Sequence, residues 1–271
     1  MEAQYPDLID QVALITGGAG AIGRAISEGL VKAGARVALV DNDERRLKRF
    51  EQELATTYGR GSALAVVADV RDSQQVRRAF KLTLEEFGRF DILVNNAAVT
   101  QIKPVDAVSD EDIDLIIDTN LKGYVICARE AVKVMKKSEG KGSLLFISSK
   151  NGLNGAPDKS LYCATKGGEL TLARALAQEL GQFGIRVNTI CPDAVLEGSS
   201  LWEDDDYRLG TAKRYHISEE EIPSYYRNRS SLKMNVQPQD VANVALFLVS
   251  DKAAKITGAI ITVDAGVAFV R

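Results

Sequence analysis

Short runs of aliphatic and β-branched residues alternate along the chain with longer stretches in which apolar positions recur every three or four residues. The runs cover residues 12–15, 36–40, 63–68, 92–94, 144–147, 187–190 and 260–263. Between them, residues 22–33, 44–58, 74–87, 111–137, 161–183 and 239–249 carry the helical period. Near-continuous apolar strands suit a parallel sheet covered on both faces, and parallel strands need helical crossovers between them. The pattern therefore predicts an α/β fold: a single-domain Rossmann-type doubly wound parallel sheet spanning residues 1–271. No internal repeat, low-complexity stretch or linker divides it. From about residue 193 to 237 the rhythm breaks, and charges and aromatics (Trp202, Asp204-Asp205-Asp206, Tyr207, Tyr215, Tyr225, Tyr226) replace periodic apolar residues. An insertion of that length after a strand reads as a substrate lid, with its acidic run as a solvated face.

Composition narrows the function. A 271-residue chain with 45% hydrophobic residues is enough for one large core. A net charge of −3 gives no reason to expect nucleic acid or an anionic membrane as partner. The apolar runs are far too short to span a bilayer, and the polar N-terminus does not read as a signal peptide. Cys127, Cys163 and Cys191 are odd in number and widely spaced, against a disulfide framework or a metal site. A cytoplasmic, metal-free protein is expected. The single histidine, His216, lies in a polar stretch, so the acid/base is expected to be another residue.

The first strand runs into Thr16-Gly17-Gly18-Ala19-Gly20-Ala21-Ile22-Gly23, where the first helix begins. Glycines between a first strand and a first helix let the backbone approach a pyrophosphate at the helix N-terminus. Gly17, Gly20, Ala21, Ile22 and Gly23 are the expected contacts. Asp41 ends the second run about 20 residues later, where a carboxylate accepts hydrogen bonds from the adenosine ribose and repels a 2′-phosphate. Arg45 and Arg46 follow at a helix start and read as solvent-exposed, so NAD is favoured over NADP.

Further motifs follow in order: Asp69 in Ala68-Asp69-Val70, Asn95-Asn96-Ala97-Ala98, Asn120, Ser149, Tyr162-Cys163-Ala164-Thr165-Lys166 and Arg186-Val187-Asn188. With the glycine loop, they make the chain resemble the short-chain dehydrogenases/reductases over essentially its whole length. Tyr162 and Lys166 are four residues apart and share a helix face. An ammonium beside a phenol favours the phenolate, so a lowered Tyr162 pKa and an acid/base role are expected. Ser149 would hydrogen-bond the substrate oxygen. The resemblance further implies that Asn120 holds a water near the lysine, that Asp69 and Val70 contact the adenine, and that Asn95 and Ala97 line the adenosine site. Pro192 and Val195 would lie at the nicotinamide end. Three departures stand out: Ala21 where the family has glycine, Asp193 after Pro192 where it has glycine, and Glu197 where it has a carboxamide-binding threonine. Val195 or Ser199 would then hold the carboxamide.

Two features resemble the sugar- and polyol-handling members, namely sorbitol-6-phosphate dehydrogenases and the dehydrogenase part of bifunctional rhamnulose-phosphate aldolase/alcohol dehydrogenases. One is Ser148-Ser149-Lys150-Asn151; the other is Cys191-Pro192-Asp193-Ala194-Val195-Leu196-Glu197-Gly198-Ser199 with Tyr225-Tyr226-Arg227-Asn228-Arg229. Lys150, Asn151, Asp193 and Glu197 offer donors and acceptors for a polyhydroxylated substrate, and a phosphate would want Lys150 with Arg227 or Arg229. The expected activity is hydride transfer between NAD and a secondary alcohol or carbonyl of a sugar, polyol or sugar phosphate. The alternatives are a non-sugar alcohol or ketone, and a regulator that binds nucleotide without turnover. Stretches 111–137 and 161–183 also carry more apolar positions than one sheet face needs: Ile113, Ile116, Ile117, Val125 and Ile126, with Leu170, Leu172, Leu176 and Leu180. Pairing across a two-fold axis would cover them, so a homotetramer is expected, with residues 269–271 near a neighbouring subunit.

Overall fold

In a computed structural model that describes residues 5–137 and 142–268, seven strands form one parallel sheet in the order β3-β2-β1-β4-β5-β6-β7. The strands are β1 (Val12–Thr16), β2 (Arg36–Asp41), β3 (Ala63–Val67), β4 (Ile92–Asn95), β5 (Gly142–Ile147), β6 (Ile185–Pro192) and β7 (Ile260–Val263). Helices α1 (Ala21–Lys32), α2 (Glu44–Tyr58), α3 (Ser73–Phe87), α4 (Asp110–Ile117), α5 (Gly123–Met135) and α6 (Ser160–Leu180) cross between them. The insertion adds α7 (Asp205–Tyr215) and α8 (Ile222–Arg229), and α9 (Pro238–Val249) leads to β7. The predicted doubly wound sheet is present, with strand ends moved by a few residues.

Alternation along the strands divides the core into two layers. Ala13, Ile15, Leu145 and Ile147 pack against Ile26 and Leu30 of α1, Phe50 of α2 and Val241 and Leu248 of α9. Val12, Leu14, Leu144 and Phe146 pack on the other side, against Phe80 of α3, Tyr124 and Cys127 of α5 and Ala173 and Leu180 of α6. The strand order reverses between β1 and β4, and a crevice opens there at the carboxyl ends of the strands, where doubly wound sheets take their ligands.

One expectation needs correction. The stretch 111–137 is not one regular helix, because a π turn (Asp118–Lys122) separates α4 from α5. The insertion is helical, held by a cluster of Ala212, Ile222 and Tyr226 with Trp202, Tyr215 and Tyr225 around it. Its acidic run is exposed, as expected, and Asp204 also caps α7 by accepting from the Tyr207 backbone N–H at 2.8 Å, while Asp205 pairs with Arg208 at 2.5 Å. Residues 269–271, expected near a neighbouring subunit, lie outside the described residues. No described helix is long and apolar enough to cross a membrane.

Candidate active site

One cavity of about 700 Å³ follows the carboxyl ends of the strands from the glycine loop to the insertion. At its first end, Gly17 has φ +64°, and a Cβ there would lie 2.8 Å from Asn96 Nδ2. Glycine takes that left-handed conformation without strain, and it alone leaves that space. A Cβ on Gly23 would stand 2.2 Å from the Gly17 carbonyl oxygen, so this position brings α1 hard against the loop rather than facing the cavity. Gly20 is the N-cap of α1 and offers no side-chain cap. The first-turn N–H groups behind Gly20, Ala21 and Ile22 therefore stand at the cavity wall, as a pyrophosphate requires.

Asp41 closes β2 with its carboxylate turned back to the loop: Oδ2 accepts from the Ala19 N–H at 3.0 Å and Oδ1 from the Asp43 N–H at 3.1 Å. Each oxygen keeps a lone pair for a ribose hydroxyl. Arg46, expected to be surface, instead lines the cavity, where Asp43 at 3.4 Å and Glu203 hold its guanidinium. Asp69 and Val70 are also on the wall; the Arg71 guanidinium grips Asp69 at 2.6 Å and holds its carboxyl below the usual range. Asn95 sits elsewhere. It is fully buried behind the wall, its Nδ2 donating to the Tyr124 carbonyl at 3.2 Å, while the next residue, Asn96, lines the cavity with Ala97. These groups fit a dinucleotide.

The chemistry collects at the other end. Ser149, two residues past β5, accepts from the Asn151 N–H at 3.1 Å and lies beside the Tyr162 phenol, whose ionisation it favours. Tyr162 stands in the first turn of α6 and faces the cavity; Lys166, one turn on, is buried behind it with Nζ 5.8 Å from the phenol ring centre. Lys166 donates to the Ile147 carbonyl at 3.0 Å, and Glu169 Oε1 lies 2.9 Å from its Nζ. Burial pushes the Glu169 carboxyl up to about 7, against the pull of Lys166.

The expected lowering of the Tyr162 pKa is not what the structure shows. Burial raises it, the Lys166 charge and the Ser149 hydroxyl oppose the rise, and the Glu169 charge adds to it. The sequence reading counted the lysine and missed both the burial and the lysine's buried counter-ion. A Lys166-Gly167-Gly168-Glu169 spacing was the available signal, since residues three apart share a helix face.

Asn120 lies in the π turn, where Gly123 N–H reaches back to the Asp118 carbonyl. Its amide staples the strand-4 loop to α6: Oδ1 accepts from Val99 N–H at 2.8 Å, and Nδ2 donates to Val99 O at 2.9 Å and Thr165 Oγ1 at 3.2 Å. Both side-chain groups are thus occupied, one residue from Lys166.

On the insertion side, Lys150, Asn151, Pro192, Asp193, Val195 and Ser199 all line the cavity. Glu197 is exposed and absent from that wall, as are Arg227 and His216. Asp193 is clamped by Arg229 at 2.5 Å, with Lys150 at 3.9 Å. Among the lining residues that the sequence did not mark as site residues are Thr100, Lys159, Tyr207 and Arg214. Nothing in the local sequence marks them: the insertion's fold brings in Tyr207 and Arg214, while Thr100 follows β4 and Lys159 directly precedes α6.

A family model described as enoyl-(acyl carrier protein) reductase matches residues 17–268. An uncharacterized oxidoreductase of Bacillus subtilis, YuxG, is 40% identical over 263 residues, which are 96% of this chain and 38% of YuxG. The chain thus spans well under half of that relative. The crystal structure of sorbitol-6-phosphate 2-dehydrogenase from Erwinia amylovora superposes with TM-score 0.89 at 34% identity, covering 95% of this chain and 100% of that one. A 3-ketoacyl-(acyl-carrier-protein) reductase from Brucella melitensis, crystallised with NADH, gives 0.83 at 28%, covering 97% and 100%. With a matched region that takes in the glycine loop, Ser149, Tyr162 and Lys166, the chain belongs to the short-chain dehydrogenase/reductase family of oxidoreductases.

Proposed function

We propose that the chain catalyses the reversible, NAD-dependent oxidation of a secondary hydroxyl on a sugar, polyol or sugar phosphate. The observation that carries this is Tyr162, beside Ser149 and backed by Lys166, at one end of a cavity whose other end is the glycine loop. When bound, the nicotinamide supplies the hydride acceptor or donor. Ser149 positions the substrate oxygen, Tyr162 takes its proton in oxidation or returns it in reduction, and the Lys166 ammonium favours the phenolate meanwhile.

NAD is favoured over NADP by two carboxylates at the ribose end, Asp41 and Asp43, and by the engagement of Arg46 with Asp43 and Glu203. A polyhydroxylated substrate is favoured by the wall beside Tyr162, where Asn151 Oδ1 and Thr100 Oγ1 are buried without a hydrogen-bond partner among the described residues. Such orphan acceptors and donors are costly unless a ligand satisfies them. The test is formation or loss of reduced nicotinamide, followed by its absorbance, with NAD and NADP over a panel of sugars, polyols, their phosphates and simple ketones. Turnover restricted to the simple ketones, or a preference for NADP, would overturn the reading.

A further inference from the structure

We propose that the insertion and the start of α6 build an anion subsite beside Tyr162, and that the substrate is a phosphate monoester whose dianion sits between Lys159 and Arg214. The proposal rests on the oxidoreductase reading above and names its substrate class.

Four cations line this end of the cavity: Lys150, Lys159, Arg214 and Arg229. Asp193 answers two of them, through its clamp on Arg229 at 2.5 and 2.6 Å and its approach to Lys150 at 3.9 Å. Lys159 and Arg214 have no carboxylate within 4.0 Å among the described residues. Lys159 is the more telling of the two. It is only 8% exposed, and its Nζ meets the neutral Tyr207 hydroxyl at 2.5 Å and lies 5.7 Å from the Tyr162 ring centre. Burial pushes this ammonium down to about 7, and the Arg214 charge pushes it the same way. Arg214 is held from the last turn of α7, its guanidinium 4.9 Å from the Tyr215 ring centre.

A buried ammonium beside an arginine, with no carboxylate to answer either, is costly to keep charged, and an anionic ligand offsets that cost. The Arg214 charge, with a Lys159 ammonium that a bound anion would keep protonated, matches a phosphate monoester, which carries roughly −1.5 to −2 at neutral pH, better than a single carboxylate. Tyr207, whose oxygen accepts from Lys159, keeps its own proton to donate. The cofactor's pyrophosphate does not fill this role, because its cradle is the N-terminus of α1 at the far end of the cavity.

The test combines turnover and binding. With NADH, phosphate esters of ketoses should exceed the free ketoses in kcat/KM by about ten- to a hundredfold, the range expected for charge-assisted hydrogen bonds. That ratio should collapse in Arg214→Gln, and inorganic phosphate should compete with the ketose ester and not with NADH. Free ketoses or keto acids turned over as well as the esters would overturn the proposal. Should no panel member turn over, the oxidoreductase reading fails by itself. Inorganic phosphate still decides the subsite: it should raise the melting temperature of the wild-type NAD complex, and do so less in Lys159→Met and Arg214→Gln. No rise in the wild-type protein overturns it.

Discussion

Tyr162 shows what spacing reveals and what it hides. Its pairing with Lys166 was legible from two residues one turn apart, and so was Ser149 at the end of a strand. The state of the phenol was not, because it depends on burial and on Glu169, both consequences of packing. Removing the hydroxyl in Tyr162→Phe is expected to lower kcat by about 10²–10⁴-fold, the usual worth of a positioned acid/base. A fluorescence titration of NADH should be nearly unchanged; near-normal turnover would remove Tyr162 from the mechanism. Glu169→Gln bears on the same proton. The Glu169 charge raises the Tyr162 pKa, so its loss lowers that pKa. Alcohol oxidation needs the phenolate, so the rising limb of kcat/KM against pH should move to lower pH. A limb that moves up would mean Glu169 serves to keep Lys166 charged. Asp41 reads the same in sequence and structure. Asp41→Ala should narrow the preference for NAD over NADP in paired titrations, and an unchanged ratio would leave Asp43 as the discriminating carboxylate.

At the scale of elements, periodicity was informative wherever a helix packs on the sheet with one apolar face. It failed in the insertion, where α7 buries Tyr207, Thr211 and Ala212 against an aromatic cluster instead of a sheet face. Trp202 and Tyr207 meet edge to face at 5.1 Å, and Tyr215 stacks on Tyr225 at 4.3 Å. Contacts of this kind carry no helical period, so two helices and one site cation, Arg214, were hidden together. The π turn was hidden for another reason: it shifts the hydrogen bonds by one residue but leaves the apolar stripe nearly continuous, and distortions of this kind recur at functional sites. The join between loop and α1 is the element with least tolerance. Gly23→Ala places a methyl 2.2 Å from the Gly17 carbonyl, so α1 and the loop must part. Overpacking of this kind costs about 1–3 kcal/mol, and the pyrophosphate cradle opens with it. Thermal unfolding should fall, and NADH affinity should fall with it; unchanged affinity in a destabilised variant would show that the cradle does not bear on the cofactor.

For the whole molecule, the open matter is what covers the outer face of α4 and α5. Six of the nine apolar residues expected to form a subunit interface are accounted for inside the subunit, since Ile116, Ile126, Leu170 and Leu180 are buried and Leu172 and Leu176 pack on the core beside them. The outward side of α6 is polar, with Arg174, Gln178 and Glu179 exposed. The interface we propose is therefore narrower than the sequence implied and sits on α4 and α5. Ile113, Ile117 and Val125 are 36–43% exposed there, in a stripe that a two-fold partner would cover with the same stripe. The π turn between these helices carries Asn120, whose amide holds Thr165 next to Lys166. Pairing would thus brace the helix that bears the acid/base, and assembly and activity should fall together. A homotetramer is expected by light scattering, with a dimer as the smallest active form. Ile117→Lys with Val125→Glu places charges in the middle of the stripe and should give a folded species of lower mass and lower kcat. A wild-type protein that is monomeric and fully active at micromolar concentration would refute the link between assembly and catalysis.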